Sequence, residues 1–154
     1  MPNAPPVTDD SRSSLRWVVD SYQRLTGRPL IAANEPDIWQ ACWAAPRVIV
    51  AHGTEPDPIF FYGNRLALDC FELDFDAFRQ LPSRYSAESL LREERDALLS
   101  RVRAHGFIDD YAGVRISASG RRFRIEQAVV WNVSDEHGAR RGQAATFERW
   151  VPLP

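Results

Sequence analysis

Residues 107–133, "FIDDYAGVRISASGRRFRIEQAVVWNV", decide the fold, because apolar and polar side chains alternate along most of this stretch. Alternation with a period of two is typical of β-strands that bury one face. The segment "ASG" at residues 118–120 divides the stretch into two strands, and "SDEHG" at residues 134–138 precedes a third. Short turn segments between consecutive strands predict an antiparallel meander.

The chain before the meander alternates between helical and extended patterns. These predict, in order, helices at residues 15–25 and 35–45, strands at 47–53 and 59–63, and helices at 64–71 and 87–105. Ser86 can cap the last of these helices, and Pro36 falls in the first turn of the second. The order predicts an α+β fold, with one antiparallel sheet of about five strands, helices on one face and an N-terminal helix.

Length and charge restrict the class of protein. The chain has 154 residues, which is typical of one domain with a single core. Its net charge of −2 gives no general attraction to nucleic acid, and no apolar run reaches the ~20 residues of a membrane helix. We therefore expect neither a nucleic-acid nor a membrane partner. Two cysteines without paired spacing favour a cytoplasmic location.

Composition divides the chain into three predicted segments. Residues 1–13 are rich in proline and polar side chains, so we expect a disordered leader. Residues 14–34 contain the N-terminal helix and its connection. Residues 35–154 form the predicted folded domain.

Four separated motifs in this order resemble the MEKHLA domain family. They are "HGTEPDPIFFYGNRLAL" at residues 52–68, "LPSRYSAE" at 81–88, "GFIDDYAGVRISASGRRF" at 106–123 and "AVVWNV" at 128–133. The resemblance covers about residues 35–150 and implies a PAS-like fold with a role in sensing or protein–protein regulation. The family occurs as small bacterial proteins and at the C-terminus of plant class III homeodomain-leucine zipper factors. The chain is therefore expected to be a small bacterial member.

The resemblance supplies no catalytic residues and leaves any cofactor unknown. Flavin photoreceptors of the PAS class need a cysteine in an "NCRFLQ"-like helix. Here that region is "LPSRYSAE", and Cys70 lies in an earlier helix, so flavin photochemistry of that kind is not expected. No metal site is predicted either, because the three histidines lack the spacing of paired ligands.

A PAS-like sheet lines a pocket with one face, and strand parity selects candidates for ligand binding. Unbroken alternation places Gln127 and Trp131 on the apolar, pocket-lining face, with Ala128 and Val130 on the opposite, outer face. A buried amide needs hydrogen-bond partners, so Gln127 is expected to bind a ligand carbonyl or ring nitrogen. The alternative is an amide that neighbouring backbone groups satisfy.

Asp110 is a second candidate, because parity groups it with apolar residues of its strand. A buried carboxylate needs a cation, a donor or a ligand. Arg84 or Arg115 could supply the cation, so both join the candidate ligand-binding residues. A bulge at Gly113 would reassign this face.

His52, Tyr62 and Asn64 complete the candidate ligand-binding residues. Val48, Val50 and His52 share one side of the first strand, which places the imidazole at the rim of the apolar face. A hydrogen-bonded structural histidine is the alternative. Asn64 can equally be the N-cap of the helix that follows it.

Three functions are compatible with these residues. The first is a small sensory or regulatory domain that binds a small molecule or a partner protein. The second is an enzyme that acts on a small ligand in a cupped pocket, using His52 with Asp110 or Glu55. The third is a ligand-free dimerisation module. The apolar stripe of the first helix could pack across the outer sheet face, so a homodimer through these two surfaces is predicted.

Overall fold

The computed structural model describes residues 9–32, 37–87 and 92–154, which form one antiparallel sheet with helices packed against it. The described helices are α1 (Asp9–Thr26), α2 (Ile38–Trp43), α3 (Arg65–Phe71), α4 (Phe75–Phe78) and α5 (Arg92–His105), with a 3₁₀ turn at Ser83–Ser86. The described strands are β1 (Val48–His52), β2 (Phe60–Gly63), β3 (Phe107–Ile116), β4 (Arg122–Ser134), β5 (Arg140–Phe147) and β6 (Arg149–Pro152).

The strands lie in the order β2–β1–β5–β4–β3, and each neighbouring pair is antiparallel. The predicted meander is present as β3, β4 and β5. The third predicted strand is interrupted at Glu148, so that β5 pairs with residues 129–134 of β4 and β6 pairs with residues 123–126. The predicted α+β architecture is therefore confirmed, with a short sixth strand added to the sheet.

A bulge at Gln127 changes which residues of β4 face each side of the sheet. Tyr111 of β3 pairs with Ala128, whereas Gly113 pairs with Ile125, so two residues of β4 lie opposite one of β3. Gln127 has a φ of 50°. The parity prediction assumed unbroken alternation, and it is wrong from Ala128 onward. One face carries Phe123, Ile125, Ala128 and Val130, and the other carries Val129, Trp131 and Val133.

Helix α1 covers the second of these faces, which we call the outer face. Its apolar stripe is buried against the sheet at Leu15, Val18, Val19 and Tyr22, with Leu25 partly buried. The Ser21 hydroxyl donates to the carbonyl of Ser134 and accepts from the Ser134 N–H. The stripe is thus already used within one chain. The predicted homodimer combined this stripe with the face of Ala128 and Val130, whereas the stripe packs on the face of Val129 and Trp131 in its own chain, and dimerisation stays a prediction.

The opposite face, which we call the inner face, is covered by α3, α4 and α5. The rings of Phe60 and Phe78 stack at 4.3 Å, and Phe71 contacts both Phe78 and Phe123. These aromatic rings fill the half of the inner face under α3 and α4. Beneath α5 the cover is thinner. Among the described side chains of α5, Val102 alone is buried.

Two helices near the N-terminus begin at positions that the sequence did not specify. Helix α1 begins at Asp9, so residues 9–13 of the predicted leader are helical, while residues 1–8 lie outside the described part. Helix α2 begins after Asp37, whose carboxylate accepts from the Trp39 N–H at 3.0 Å. Pro36 lies outside the described residues.

The last helix differs at its beginning from the prediction. Ala87 is extended and pairs with a residue of β3, and the Ser86 hydroxyl donates to the Ser83 carbonyl instead of capping a helix. Residues 88–91 lie outside the described part, and α5 is described from Arg92. In the described ranges, no helix combines the length and the apolar character that crossing a bilayer demands.

Candidate functional site

A row of three polar side chains crosses the inner face near one end of the sheet. His52 of β1 pairs with Gln143 of β5, and Gln143 pairs in turn with Asn132 of β4. Residues directly opposite each other in a sheet point to the same face. Each of the three also lies two positions from an inner-face residue of its own strand: Val50, Ala145 and Val130, respectively. We call His52, Gln143 and Asn132 the polar row.

The central strand β5 is closed on its outer side and open on its inner side. The outer residues Ala144 and Thr146 are 3% and 0% exposed, whereas the inner residues Gln143 and Ala145 are partly exposed. Because β5 has a neighbouring strand on each side, solvent can reach Ala145 only across the inner face. The inner face therefore has an opening beside the polar row.

Apolar side chains border this opening. Val50 and Val130 flank Ala145 on the two neighbouring strands. Val130 belongs to a small buried cluster with Val102 of α5 and Ile108 of β3. A mostly apolar surface with a few polar groups along one edge is typical of sites for small molecules.

His52 presents a neutral imidazole to the polar row. Burial lowers the pKa of His52 below its usual 6.5, and the nearby positive charge of Arg140 lowers it further. The Nδ1 atom lies 3.0 Å from the carbonyl oxygen of Gly53, which can only accept, so Nδ1 carries the proton. Nε2 is then an acceptor. Gln143, which stands opposite His52, acts on the imidazole and raises its pKa, so these two members of the row lie close together.

Gly142 allows β5 to approach β1 closely beside His52. Its φ is 155°, and a Cβ atom at this position would collide with the backbone carbonyl oxygen of His52. Glycine is the residue that adopts this conformation and leaves this space. The close contact fixes the end of β5 that carries Gln143.

Two of the sequence-predicted ligand residues lie elsewhere. Gln127 is exposed in the β4 bulge, so the prediction that it faces the pocket is wrong. Trp131 lies on the outer face, fully buried, and its indole N–H donates to the carbonyl of Val18 at 3.2 Å. Its ring also meets the Tyr22 ring edge-on, at 4.9 Å. Trp131 therefore attaches α1 to the sheet.

The charged candidates are occupied by other partners. Asp110 is exposed and accepts from Arg101 at 2.6 Å, so neither Arg84 nor Arg115 is its cation. The Arg84 Nε lies 3.1 Å from both carboxylate oxygens of Asp57. The guanidinium of Arg115 lies over a tyrosine ring of its own strand, 5.5 Å from the ring centre.

The enzyme hypothesis pairs His52 with Asp110 or Glu55, and the structure separates His52 from Asp110. Strands β1 and β3 are three steps apart in the sheet, or about 14 Å at the usual strand spacing. Glu55 is exposed in a turn and accepts from the Ile59 N–H at 3.2 Å. Within the described ranges, no three His, Cys, Asp or Glu side chains form a group that could hold a metal ion.

Asn64 is the N-cap of α3, as predicted, and its amide is fully used. Its Oδ1 accepts from the N–H groups of Ile49 and Ala67, and its Nδ2 donates to the carbonyls of Cys42 and Arg47. An asparagine side chain offers two donor hydrogens and two acceptor lone pairs. With all four in use, Asn64 connects α2, β1 and α3 and retains no capacity for a ligand.

Tyr62 lies on the outer face of the sheet and not on the inner face, where the polar row is. An irregular pairing of β1 with β2 places Tyr62 opposite Ala51 and His52 opposite Phe60. Within the part of the chain that the structure describes, neither the buried Tyr62 hydroxyl nor the buried indole N–H of Trp39 has a hydrogen-bond partner, and the two ring centres are 5.8 Å apart. An unpaired buried polar group costs about 1–3 kcal/mol, so these two require a physical explanation.

Gln143 and Asn132 are the site residues that sequence reasoning missed. Gln143 alternates with Ala145 and Phe147 in "GQAATF", so parity within β5 would have identified it as the polar member of an apolar face. Asn132 could be assigned to the inner face only after the bulge at Gln127 was known.

Solved structures with similar folds are PAS and light-oxygen-voltage domains. The PAS domain of a protein from Colwellia psychrerythraea has a TM-score of 0.59 and 13% identity, covering 74% of this chain and 92% of that chain. A light-oxygen-voltage domain studied with a flavin analogue has a TM-score of 0.57 and 12% identity, covering 80% and 89%. The light-state dimer of the fungal blue-light photoreceptor Vivid has a TM-score of 0.57 and 12% identity, covering 92% and 95%. These likenesses confirm the PAS-like fold.

Curated relatives are plant homeobox-leucine zipper proteins. ATHB-9 of Arabidopsis thaliana is 24% identical over 152 residues, which are 94% of this chain and 18% of that protein. HOX32 of Oryza sativa subsp. indica is 27% identical over 153 residues, which are 95% of this chain and 17% of that protein. The chain spans less than a fifth of these relatives, and plant relatives give no support to the expected bacterial origin.

A family model described as "MEKHLA domain" matches residues 12–152. The match includes most of α1, which the resemblance at residues 35–150 had left out, and it extends to β6. Since it spans nearly the whole length, the chain belongs to the MEKHLA domain family.

Proposed function

We propose that this chain is a sensory domain that binds a small, uncharged molecule on the inner face of its sheet. The observation that supports this is the partial exposure of Gln143 and Ala145 in the middle of the sheet, beside an apolar cluster. A filled PAS-like core would cover the central strand on both faces. The opening therefore favours ligand binding over a ligand-free dimerisation module.

The polar row indicates the chemistry of the ligand. Neutral His52 offers an acceptor, and the amides of Gln143 and Asn132 each offer donors and an acceptor. None of the three carries a charge at pH 7, which favours an uncharged ligand edge with both donors and acceptors. The apolar border at Val50 and Val130 suits a flat hydrocarbon or aromatic body. A heteroaromatic ring with carbonyl or ring-nitrogen groups has both properties.

The comparisons support this class of ligand without identifying it. One similar structure concerns a light-oxygen-voltage domain and a flavin analogue, so a flat heteroaromatic molecule occurs with this fold. The chain has "LPSRYSAE" where flavin photoreceptors place their reactive cysteine, and its cofactor stays unassigned. Riboflavin therefore serves as a probe of the ligand class.

Strand β4 provides a route from the ligand to a partner protein. Asn132 belongs to the polar row, while its neighbours Trp131 and Val133 lie on the face that α1 covers. Ser134 of the same strand is hydrogen-bonded to Ser21 of α1. A ligand that shifts Asn132 would move the residues on which α1 rests. Altered packing of α1 is then the signal that a partner protein detects.

The test begins with native mass spectrometry and an absorption spectrum of protein purified without refolding. Riboflavin binding is then measured by fluorescence quenching for the wild type, Gln143→Leu and Gln127→Leu. Loss of a polar-row hydrogen bond, worth about 1–1.5 kcal/mol, should weaken riboflavin binding by roughly tenfold in Gln143→Leu. Gln127→Leu is the matched control, since Gln127 is exposed in the same sheet.

Two results would count against the proposal. Equal riboflavin affinity in both variants would remove the polar row from the site. Absence of both a co-purifying mass and riboflavin binding would favour a protein-interaction domain with a filled core.

A further inference from the structure

Trp39 and Tyr62 are polar groups that the outer core leaves unsatisfied. The two residues are 3% and 2% exposed, and among the described residues neither the indole N–H nor the phenol O–H has a hydrogen-bond partner. The two rings are in edge contact, with centres 5.8 Å apart and planes inclined by 70°. The Phe75 ring meets both of them edge-on. Two orphaned groups thus occur in one aromatic cluster, not at separate places.

The sheet beneath this cluster carries small residues. Tyr62 pairs with Ala51, Ala51 with Ala144, and Ala144 with Trp131, so this row of the outer face has an aromatic ring at each end and two alanines between. Alanine places only a methyl group above the sheet. Side chains from α1 and α2, including Trp39 itself, cover this row.

The surroundings of the two groups favour an uncharged occupant. Burial raises the pKa of Tyr62 well above its usual value, and the nearby thiol of Cys42 raises it further. Among the described residues that surround the two rings, Phe75, Ala51 and Ala144 are apolar. A buried ion without a counter-charge would be strongly unfavourable.

We propose that Trp39 and Tyr62 form a second, buried binding site, between α2 and the outer sheet face, for a small uncharged molecule with an oxygen acceptor. The indole N–H can only donate, and the phenol can donate or accept, so one acceptor oxygen satisfies both groups. An internal water and a small alcohol or carbonyl compound share this chemistry. The site is independent of the polar row, because it lies on the opposite face of the sheet.

A crystal structure at about 1.5 Å tests the site directly, since ordered water is visible there. We expect non-protein density within about 3.2 Å of both Trp39 Nε1 and Tyr62 Oη. Native mass spectrometry of the same preparation separates the two sources: an added mass identifies an organic molecule, and its absence identifies water. Density next to neither atom would overturn the proposal.

Tyr62→Phe provides a second, independent readout because it removes the hydroxyl and keeps the ring. If the hydroxyl holds a bound molecule, the variant should lose the density and its melting temperature should fall by ~2–4 °C. If the hydroxyl is simply unpaired, its removal should leave the melting temperature unchanged or raise it, which would overturn the proposal. Tyr85→Phe is the matched control. Because Tyr85 is 56% exposed, removal of its hydroxyl should leave the melting temperature unchanged.

Discussion

The two faces of the sheet are built from the same strands but are covered to different degrees. On the outer face, Ala144 is buried beneath the N-terminal helix, and Trp131 donates a hydrogen bond to that helix. On the inner face, the next residue, Ala145, is reached by solvent, and Gln143 beside it is half-buried. Strand β5 therefore has a closed core on its outer side and an open surface on its inner side. The closed face can supply stability while the open face remains available for a ligand.

The polar groups on the two faces differ in the same way. On the outer face, Ser21 and Ser134 satisfy each other through two hydrogen bonds, which fixes α1 on the sheet. On the inner face, the polar row presents the acceptor nitrogen of His52 and the Asn132 amide at the edge of an opening. Bonded polar groups hold elements together, whereas accessible ones can recognise a second molecule.

The largest effect is expected from removing the central ring of the closed face. Trp131→Ala deletes a fully buried side chain and its bond to Val18, and such truncations cost about 3–5 kcal/mol. The free energy of unfolding is measured by urea denaturation. Leu98→Ala, a truncation of a partly buried residue of α5 on the inner side, is the comparison and should cost much less. Equal losses in the two variants would contradict the assignment of the closed core to the outer face.

A pair of neighbouring alanines gives the sharpest test of the difference between faces. Ala144→Leu places three additional carbons in the packed outer core and should destabilise the protein by about 1–3 kcal/mol. Ala145→Leu places the same atoms at the inner opening and should change stability by less than about 0.5 kcal/mol. Both positions lie in β5, so strand propensity is matched.

The same two variants separate stability from binding. Ala145→Leu should abolish riboflavin binding, because its side chain fills the opening, while the fold persists. Melting temperature and riboflavin quenching are measured in parallel. Similar destabilisation by both leucines would show that the inner face is as closed as the outer face.

Much of the fold could be predicted because its signals are local. In the turn after β4, the Asp135 carboxylate accepts from the N–H groups of His137 and Ala139. These groups follow Asp135 by two and four residues, so the aspartate is a local signal for the hairpin. The alternation in β4 and the N-cap at Asn64 are local in the same sense. Such features depend on residues a few positions apart, and a single sequence contains them in full.

The site was harder to predict because it depends on pairing between strands. The bulge at Gln127 is one unpaired residue between β3 and β4, and "IEQAVV" gives no sign of it. It reverses the face of every later residue in the strand, which misplaced Trp131 and hid Asn132. His52 was assigned correctly to the inner rim, since β1 pairs with β5 without interruption. The hydrogen bonds from Asn64 to the carbonyls of Cys42 and Arg47 join residues far apart in the sequence, so local patterns could not predict them either.

The smallest predicted effect is a pH dependence that originates on the inner face. Because the folded pKa of His52 lies below 6.5, the unfolded chain binds a proton first as the pH falls through 6.5. The contribution of His52 is therefore fully present above pH 6.5 and is lost as the pH falls towards its folded pKa. Burial is the main cause of the low pKa and Arg140 adds to it, whereas the Gly53 carbonyl, Gln143 and Glu55 favour protonation, so the net loss of stability should be small.

Urea denaturation of the wild type and His52→Gln between pH 7.5 and 5.5 measures this contribution. The wild type should lose more stability than His52→Gln over this range, and its riboflavin affinity should fall in parallel, because protonation removes the acceptor on Nε2. Parallel stability curves for the two proteins would show that His52 titrates alike in the folded and unfolded chain, which would place the imidazole in solvent and outside the polar row.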